Sequence, residues 1–249
     1  MCESVQHSGT RHLDLWPRGT FKSTMITIGY TIQQVALNPN IRILIANATL
    51  QNARSFLREI KTHFERNEKL REIIGDQVSR EDKWTDSEII VKGRTKNLKE
   101  PTIQVAGVGM SLVSQHYDII IGDDLVNTES VNTPEQIEKT KIWFKMAMSL
   151  LEPGGKVLII GTRYHFDDLY GWIIKEHLEY NPQIHSIYNE DGSSIFPERF
   201  TTEVIEDIKK TQGSYLFSCQ YLNSPIDDES AKFKKSQIVY KETLPDKSF

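Results

Sequence analysis

The sequence predicts an α/β fold with a mainly parallel sheet flanked by helices, and three observations lead there. Short, almost continuously apolar runs such as Ile41–Ala46 (IRILIA) and Lys156–Ile160 (KVLII) have the pattern of strands covered on both faces. Longer amphipathic stretches alternate with them, the order expected of parallel strands joined by crossover helices. The chain has 249 residues and is 38% hydrophobic, enough for one good core with a small appendage but hardly for two full domains.

The first apolar run, His12–Trp16, is short and stops at Pro17, which makes it a strand. A helix is expected from about Lys22 to Leu37, ended by the Asn38-Pro39-Asn40 turn. Ile41–Ala46 follows as a buried strand. Asn47 is the expected cap of the next helix, which runs through Phe56, Ile60 and Phe64 towards Ile74. Residues 75–100 are polar, with a short strand at Glu88–Val91. Pro101–Val105 and Tyr117–Ile121 are two more strands. Thr133-Pro134-Glu135-Gln136 starts a helix with proline in its first position, and that helix should reach about Leu151. Pro153-Gly154-Gly155 is then a turn before the strand Lys156–Ile160. Two or three helices should fill roughly 166–222. From Asn223 the sequence is polar and loop-like, so 223–249 is expected to be a linker or exit arm.

Composition excludes several classes. Thirty basic against 34 acidic side chains leave a formal charge of −4, unlike a strongly basic stand-alone nucleic-acid binder. A local basic face can still hide inside a near-neutral total. Two cysteines, Cys2 and Cys219, stand far apart with no CxxC partner, against a disulfide framework or a structural zinc site. No apolar run approaches the roughly 20 residues of a membrane span. The N-terminal segment lacks the basic-then-apolar build of a signal peptide. These features fit a protein of a reducing interior with no membrane partner.

Three motifs carry chemistry. Pro17-Arg18-Gly19-Thr20-Phe21-Lys22-Ser23-Thr24 lies between a strand and a helix. A phosphate loop needs backbone N–H groups at a helix N-terminus, a lysine for the outer phosphates and a hydroxyl for Mg²⁺, and Lys22 and Ser23 fit the last two roles. The pattern G-x-x-x-x-G-K-[ST] wants glycine at positions 16 and 21, where Trp16 and Phe21 stand; by itself the string is equally a polar helix start. Tyr117-Asp118-Ile119-Ile120-Ile121-Gly122-Asp123-Asp124 is an apolar strand ending in two carboxylates. Phosphoryl transfer needs metal neutralisation and an oriented nucleophile; Asp123 is assigned to the metal, through its water shell, and Asp124 to the attacking water. Gly161-Thr162-Arg163 follows the strand ending at Ile160, where a hydroxyl can sense the γ-phosphate. Each motif sits at the C-terminal end of an expected strand, where open parallel sheets bind ligands. Together they predict a P-loop NTPase of the ASCE type that hydrolyses ATP with Mg²⁺.

Across roughly residues 12–232 the chain resembles the large terminase subunits of tailed phages and prophages. The resemblance rests on PRGTFKST, on YDIIIGDDLVN followed by a TPEQ helix start, on GTRYHFDDLYGWI, on FPERF and on FSCQYLNSPIDDESAKF. It implies a packaging motor in the host cell cytoplasm, a homo-oligomeric ring on the portal protein. With a small terminase subunit as partner, such a motor drives double-stranded DNA into a capsid. It further implies that Arg18 acts on the phosphates in cis, that Gly19, Thr20, Phe21, Lys22, Ser23 and Thr24 form the nucleotide loop, and that Ser23 and Asp123 serve the metal. Asp124 and Thr162 would be catalytic alongside Arg18, and Gly161, Thr162 and Arg163 would couple hydrolysis to movement. Residues 1–222 are then the motor domain, and 223–249 lead toward an absent RNase H-like nuclease domain.

The departures from that family are Phe21 for glycine, Asp124 where most members have glutamate, and Ser114-Gln115-His116 where many have Gly-x-Arg. With 11 residues ahead of the first strand, the family's upstream adenine-contacting glutamine segment is expected to be missing, and Gln6 is a poor substitute. Two other readings remain open: an inactive or nucleotide-binding-only prophage remnant, and a superfamily-2-type helicase-like ATPase. Duller roles are expected elsewhere. Asp167 and Asp168 start a helix rather than join His165 in a metal site, and His116 is a surface or packing residue. Lys92, Arg94, Lys96 and Lys99 form a solvated basic loop, and Trp16, Trp143 and Phe144 are core aromatics.

Overall fold

The computed structural model describes residues 5–6 and 9–225. Seven strands form one sheet: β1 (Arg11–Leu15), β2 (Ile43–Asn47), β3 (Glu88–Ile89), β4 (Ile103–Gly107), β5 (Tyr117–Asp123), β6 (Leu151–Gly161) and β7 (Gln183–Ile184). Their order is β3-β4-β2-β5-β6-β1-β7, all parallel except the antiparallel pair β3 and β4. The five central strands are the apolar runs. Ile43, Ile45, Ile121, Leu158 and Ile160 face one side, and Leu44, Ile120, Val157 and Ile159 face the other, all 2% exposed or less.

Helices cover both faces. On the first pack a π-helical stretch, Ser23–Tyr30, which continues directly into α1 (Thr31–Leu37), and α2 (Leu50–Arg66) with Ala53, Leu57, Ile60 and Phe64 inward. Asn67 caps α3 (Glu68–Ile74), so the long helix expected from 47 to 74 is broken in two. On the second face lie α4 (Pro134–Met148), inserting Trp143, Phe144 and Ala147, and α5 (Leu169–Glu176), inserting Tyr170 and Ile173. The last helix, α6 (Thr202–Leu222), kinks at Gly213 and packs Ile205, Phe217 and Tyr221 against Ile187 and Phe200.

Several expected boundaries move for physical reasons. Thr49, not Asn47, is the N-cap of α2; it has extended backbone and its hydroxyl accepts from Asn52 N–H. The Pro153-Gly154-Gly155 segment is a bulge inside β6 rather than a turn before it. The partner of Tyr117 is Leu151 but that of Ile119 is Lys156, and the extra residues turn out through Gly154 at φ 80°. The 166–222 region holds two helices, a 3₁₀ turn at Leu178–Tyr180, and the edge strand β7, which sequence periodicity does not reveal. Of the expected linker, 226–249 lies outside the described residues, as does Cys2. Among the described residues no helix is long and apolar enough to cross a membrane.

Candidate functional site

Because β6 lies between β1 and β5, the register brings three motif-bearing strand tips level. Leu15 of β1 pairs with Gly161, and Asp123 of β5 pairs with Ile160. The residues just beyond those tips meet. Lys22 Nζ donates to Thr162 Oγ1 at 3.0 Å, and the Thr162 hydroxyl donates to Asp124 Oδ1 at 3.2 Å. Lys22 Nζ and Asp124 Oδ1 are 3.6 Å apart. Lys22 is only 6% exposed and Thr162 3%, so this ammonium is withheld from water and directed by its two oxygen partners. Gly161 leaves room for the buried Tyr170 side chain against the tip of β6, where a Cβ would collide with it.

Asp123 is fully buried below this triangle. Its Oδ2 accepts from Thr27 at 2.6 Å, while Oδ1 has no hydrogen-bond partner among the described residues. Burial, and then the neighbouring Asp124 charge, push the Asp123 pKa up to about 7 against the pull of the Thr27 and Ser23 hydroxyls and of Lys22. Asp124 has left-handed backbone, φ 46°, which Asp tolerates better than bulkier residues. Its N–H donates to Ile160 and its carbonyl accepts from Ala48 N–H. Asn47 supports the same tip: its amide donates to the Asp123 carbonyl at 2.7 Å, and its Oδ1 accepts from Thr49 N–H.

The loop ahead of Lys22 turns through two left-handed residues, Gly19 at φ 82° and Phe21 at φ 60°. Phe21 therefore occupies a conformation suited to glycine, and its ring is half exposed. Thr20 Oγ1 closes the turn by donating to the Pro17 carbonyl. Arg18 N–H donates to the Gln220 carbonyl at the end of α6, tying the loop to the last helix. A cleft of about 280 Å³ is lined by Arg18–Thr24, Asp124 and Arg199. A second cleft, about 250 Å³ and largely apolar, borders it at Thr24 and continues past Met25 and Tyr30 to Gln6 and Gln33.

No family model matches this chain, and no curated protein does either.

The sequence-derived residues Lys22, Ser23, Asp123, Asp124 and Thr162 converge, while Gly19, Thr20, Phe21 and Thr24 frame the cleft and Arg18 reaches along its wall to Gln220. Arg163 does not join them. Its buried guanidinium bonds Asp168 at 3.1 Å and the His165 and Phe166 carbonyls, and Asp168 also caps α5 through Gly171 N–H. Arg163 is a structural clamp on the turn after β6. Asp168 starts a helix as expected, and among the described residues no three His, Cys, Asp or Glu side chains are grouped to hold a metal. His116 is exposed, with its backbone N–H on Glu100. The basic loop is partly tied to its neighbours, with exposed Lys92 near exposed Asp76 and Arg94 donating to the Glu100 carbonyl. Trp143 and Phe144 are buried, whereas Trp16 is half-buried and stacked on His185 with centroids 3.7 Å apart.

Sequence reasoning missed Thr27 and Asn47 as a support of the acidic tip, and met Arg199 only inside FPERF, without a role. Thr27 had a signal, one helical turn beyond Ser23. The other two reach the site only through tertiary packing.

Proposed function

We propose that this chain is the ATP-hydrolysing motor portion of a phage terminase large subunit, built on an ASCE-type P-loop fold. The observation that carries the reading is the Lys22–Thr162–Asp124 triangle, in which residues from three separate motifs meet at the C-terminal ends of parallel strands. The position of β6 between the loop-bearing and acid-bearing strands is the additional-strand order of that fold type.

Lys22, Arg18 and the loop amides hold the outer phosphates and stabilise charge developing on them. Asp124 accepts a hydrogen bond from the attacking water and orients it. Thr162, bonded to both Lys22 and Asp124, registers whether the terminal phosphate is in place. The residues present fit Mg²⁺: Asp123 Oδ1 is a buried acceptor with no hydrogen-bond partner among the described residues, and the Ser23 hydroxyl lies close enough to the same carboxyl group to lower its pKa. Mg²⁺, when bound, neutralises phosphate charge, and one carboxylate with one hydroxyl suffices because water and nucleotide oxygens supply its other ligands. The apolar cleft beyond Thr24 takes the base, with Gln6 at its far wall.

In this reading the chain acts in the host cell cytoplasm as a ring on the portal protein, with double-stranded DNA as cargo and the small terminase subunit as partner. The test is Mg²⁺-dependent phosphate release from ATP by the parent chain, Lys22→Ala and Asp124→Asn. Release confined to the parent supports the proposal. A folded parent that neither binds nor hydrolyses ATP sinks it.

A further inference from the structure

The candidate site holds a further cation, the arginine of the FPERF string, to which the sequence assigns no role. Arg199 lies between β7 and α6, more than 170 residues downstream of the loop, yet its guanidinium sits 4.9 Å above the Phe21 ring centroid. A Cβ placed on Gly19 would come within 3.6 Å of Arg199 Nε and 3.7 Å of Nη2. The same side chain lines the cleft with Arg18–Thr24 and Asp124. Among the described residues its guanidinium has no hydrogen bond or ion pair, whereas Lys22 is held by Thr162 and Asp124, and Arg18 reaches towards Gln220 at 3.5 Å.

The guanidinium lies over two rings, Phe21 at 4.9 Å and Phe200 at 5.8 Å, and a cation–π contact uses none of its N–H donors. Its N–H donors lie in the plane and stay free for a tetrahedral anion. The arrangement also gives Phe21 a purpose. Glycine would relieve its left-handed backbone, but glycine has no ring on which to seat Arg199 or to pack edge-on against Phe196, 6.2 Å away.

We propose that Arg199 contacts the outermost phosphate of a bound nucleoside triphosphate, and that Phe21 is the platform that positions it. This rests on the ATP reading of the same site. Phosphate binding by Arg199 is charge-assisted and, through its planar fork, bidentate. It supplies from within the chain a cation at the end of the phosphate train opposite the base.

The test is calorimetric titration of the full chain with Mg²⁺-ATP and Mg²⁺-ADP, alongside the melting temperature without nucleotide. The variants are Arg199→Ala, Arg199→Lys, Phe21→Leu and the double variant Phe21→Leu/Arg199→Ala. Arg199→Ala should weaken ATP on the order of tenfold or more and ADP by less than about threefold, the loss expected of one charge-assisted contact to the terminal phosphate. Arg199→Lys keeps the charge but loses the fork, so it should fall between, and it stands in should the alanine variant misfold. Phe21→Leu should copy the selective loss, and the double variant should be no weaker than Arg199→Ala. Parental ATP affinity in Arg199→Ala, or equal losses for ATP and ADP, overturns the assignment. A parent that binds neither nucleotide overturns the ATP reading itself and this assignment with it.

Discussion

The Lys22 ammonium is hydrogen-bonded at 3.0 Å to Thr162, a residue 140 positions away in the sequence. That contact makes the Thr162 hydroxyl a two-way relay, accepting from Lys22 and donating to Asp124. Its loss should affect turnover rather than ATP capture. Thr162→Val is expected to lower kcat on the order of 10- to 100-fold, leaving KM within about threefold, whereas Thr162→Ser keeps most activity. Steady-state phosphate release decides it; a KM increase with unchanged kcat would place Thr162 in binding instead.

Asp123 has the opposite character, a buried acid whose ionised form the nucleotide-free fold tolerates poorly. Asp123→Asn should abolish Mg²⁺-dependent hydrolysis and yet stabilise the nucleotide-free protein at pH 8 by about 1 kcal/mol or more, roughly 2–4 °C in Tm for a domain of this size. Differential scanning calorimetry without metal gives the answer, and a lowered Tm would mean that the Thr27 contact outweighs the burial cost.

Arg163 is expected to behave as structure, not as chemistry. Breaking its buried pair with Asp168 leaves a charge without its partner, so Arg163→Ala or Asp168→Ala should each cost about 3–5 kcal/mol of stability. The double replacement should cost less than the two losses added together. Urea denaturation measures both; a full loss of hydrolysis in an Arg163→Ala protein of parental stability would contradict the assignment.

A pH dependence follows from Asp14 on β1. Burial would raise its pKa, but His12 at 3.5 Å, His185 at 3.0 Å and the Trp16 N–H more than offset this and hold it below the usual carboxylate range. A depressed folded-state pKa stabilises the protein above the unfolded value, near pH 4, and that contribution disappears as pH falls towards the folded value. Parent and Asp14→Asn should therefore differ most in urea midpoint above about pH 4, with the gap closing at lower pH. A gap that widens on acidification would reverse the sign.

What was legible in the sequence was whatever is written in consecutive residues. IRILIA and KVLII announce buried strands because both their faces are covered, and Thr133-Pro134 announces a helix because capping chemistry is local. The sequence order of the motifs also suggested a shared edge, since parallel strands put their C-terminal ends together. Illegible were features decided across the fold. The Pro153–Gly155 bulge depends on the register against β5, and the two-residue β7 is a strand only because β1 lies beside it. Asn47 resembles a cap until the Asp123 carbonyl claims its amide. Phe21 resembles a damaged loop until Arg199 is seen above it.

The tie between Arg18 and Gln220 has a mechanical corollary. Three residues past Gln220, Asn223 accepts a bond from Arg163 N–H and donates another to the His185 carbonyl. Tension at Pro225 would thus meet the bonds of Ser224 to Ser218, of Asn223 to the turn next to Thr162 and to His185, of Tyr221 to Ile187, and of Gln220 to the loop next to Lys22. A pull there would load the loop, the turn and the residue after β7 together, and rearrangement of the loop or the turn would bear on the end of α6 in return.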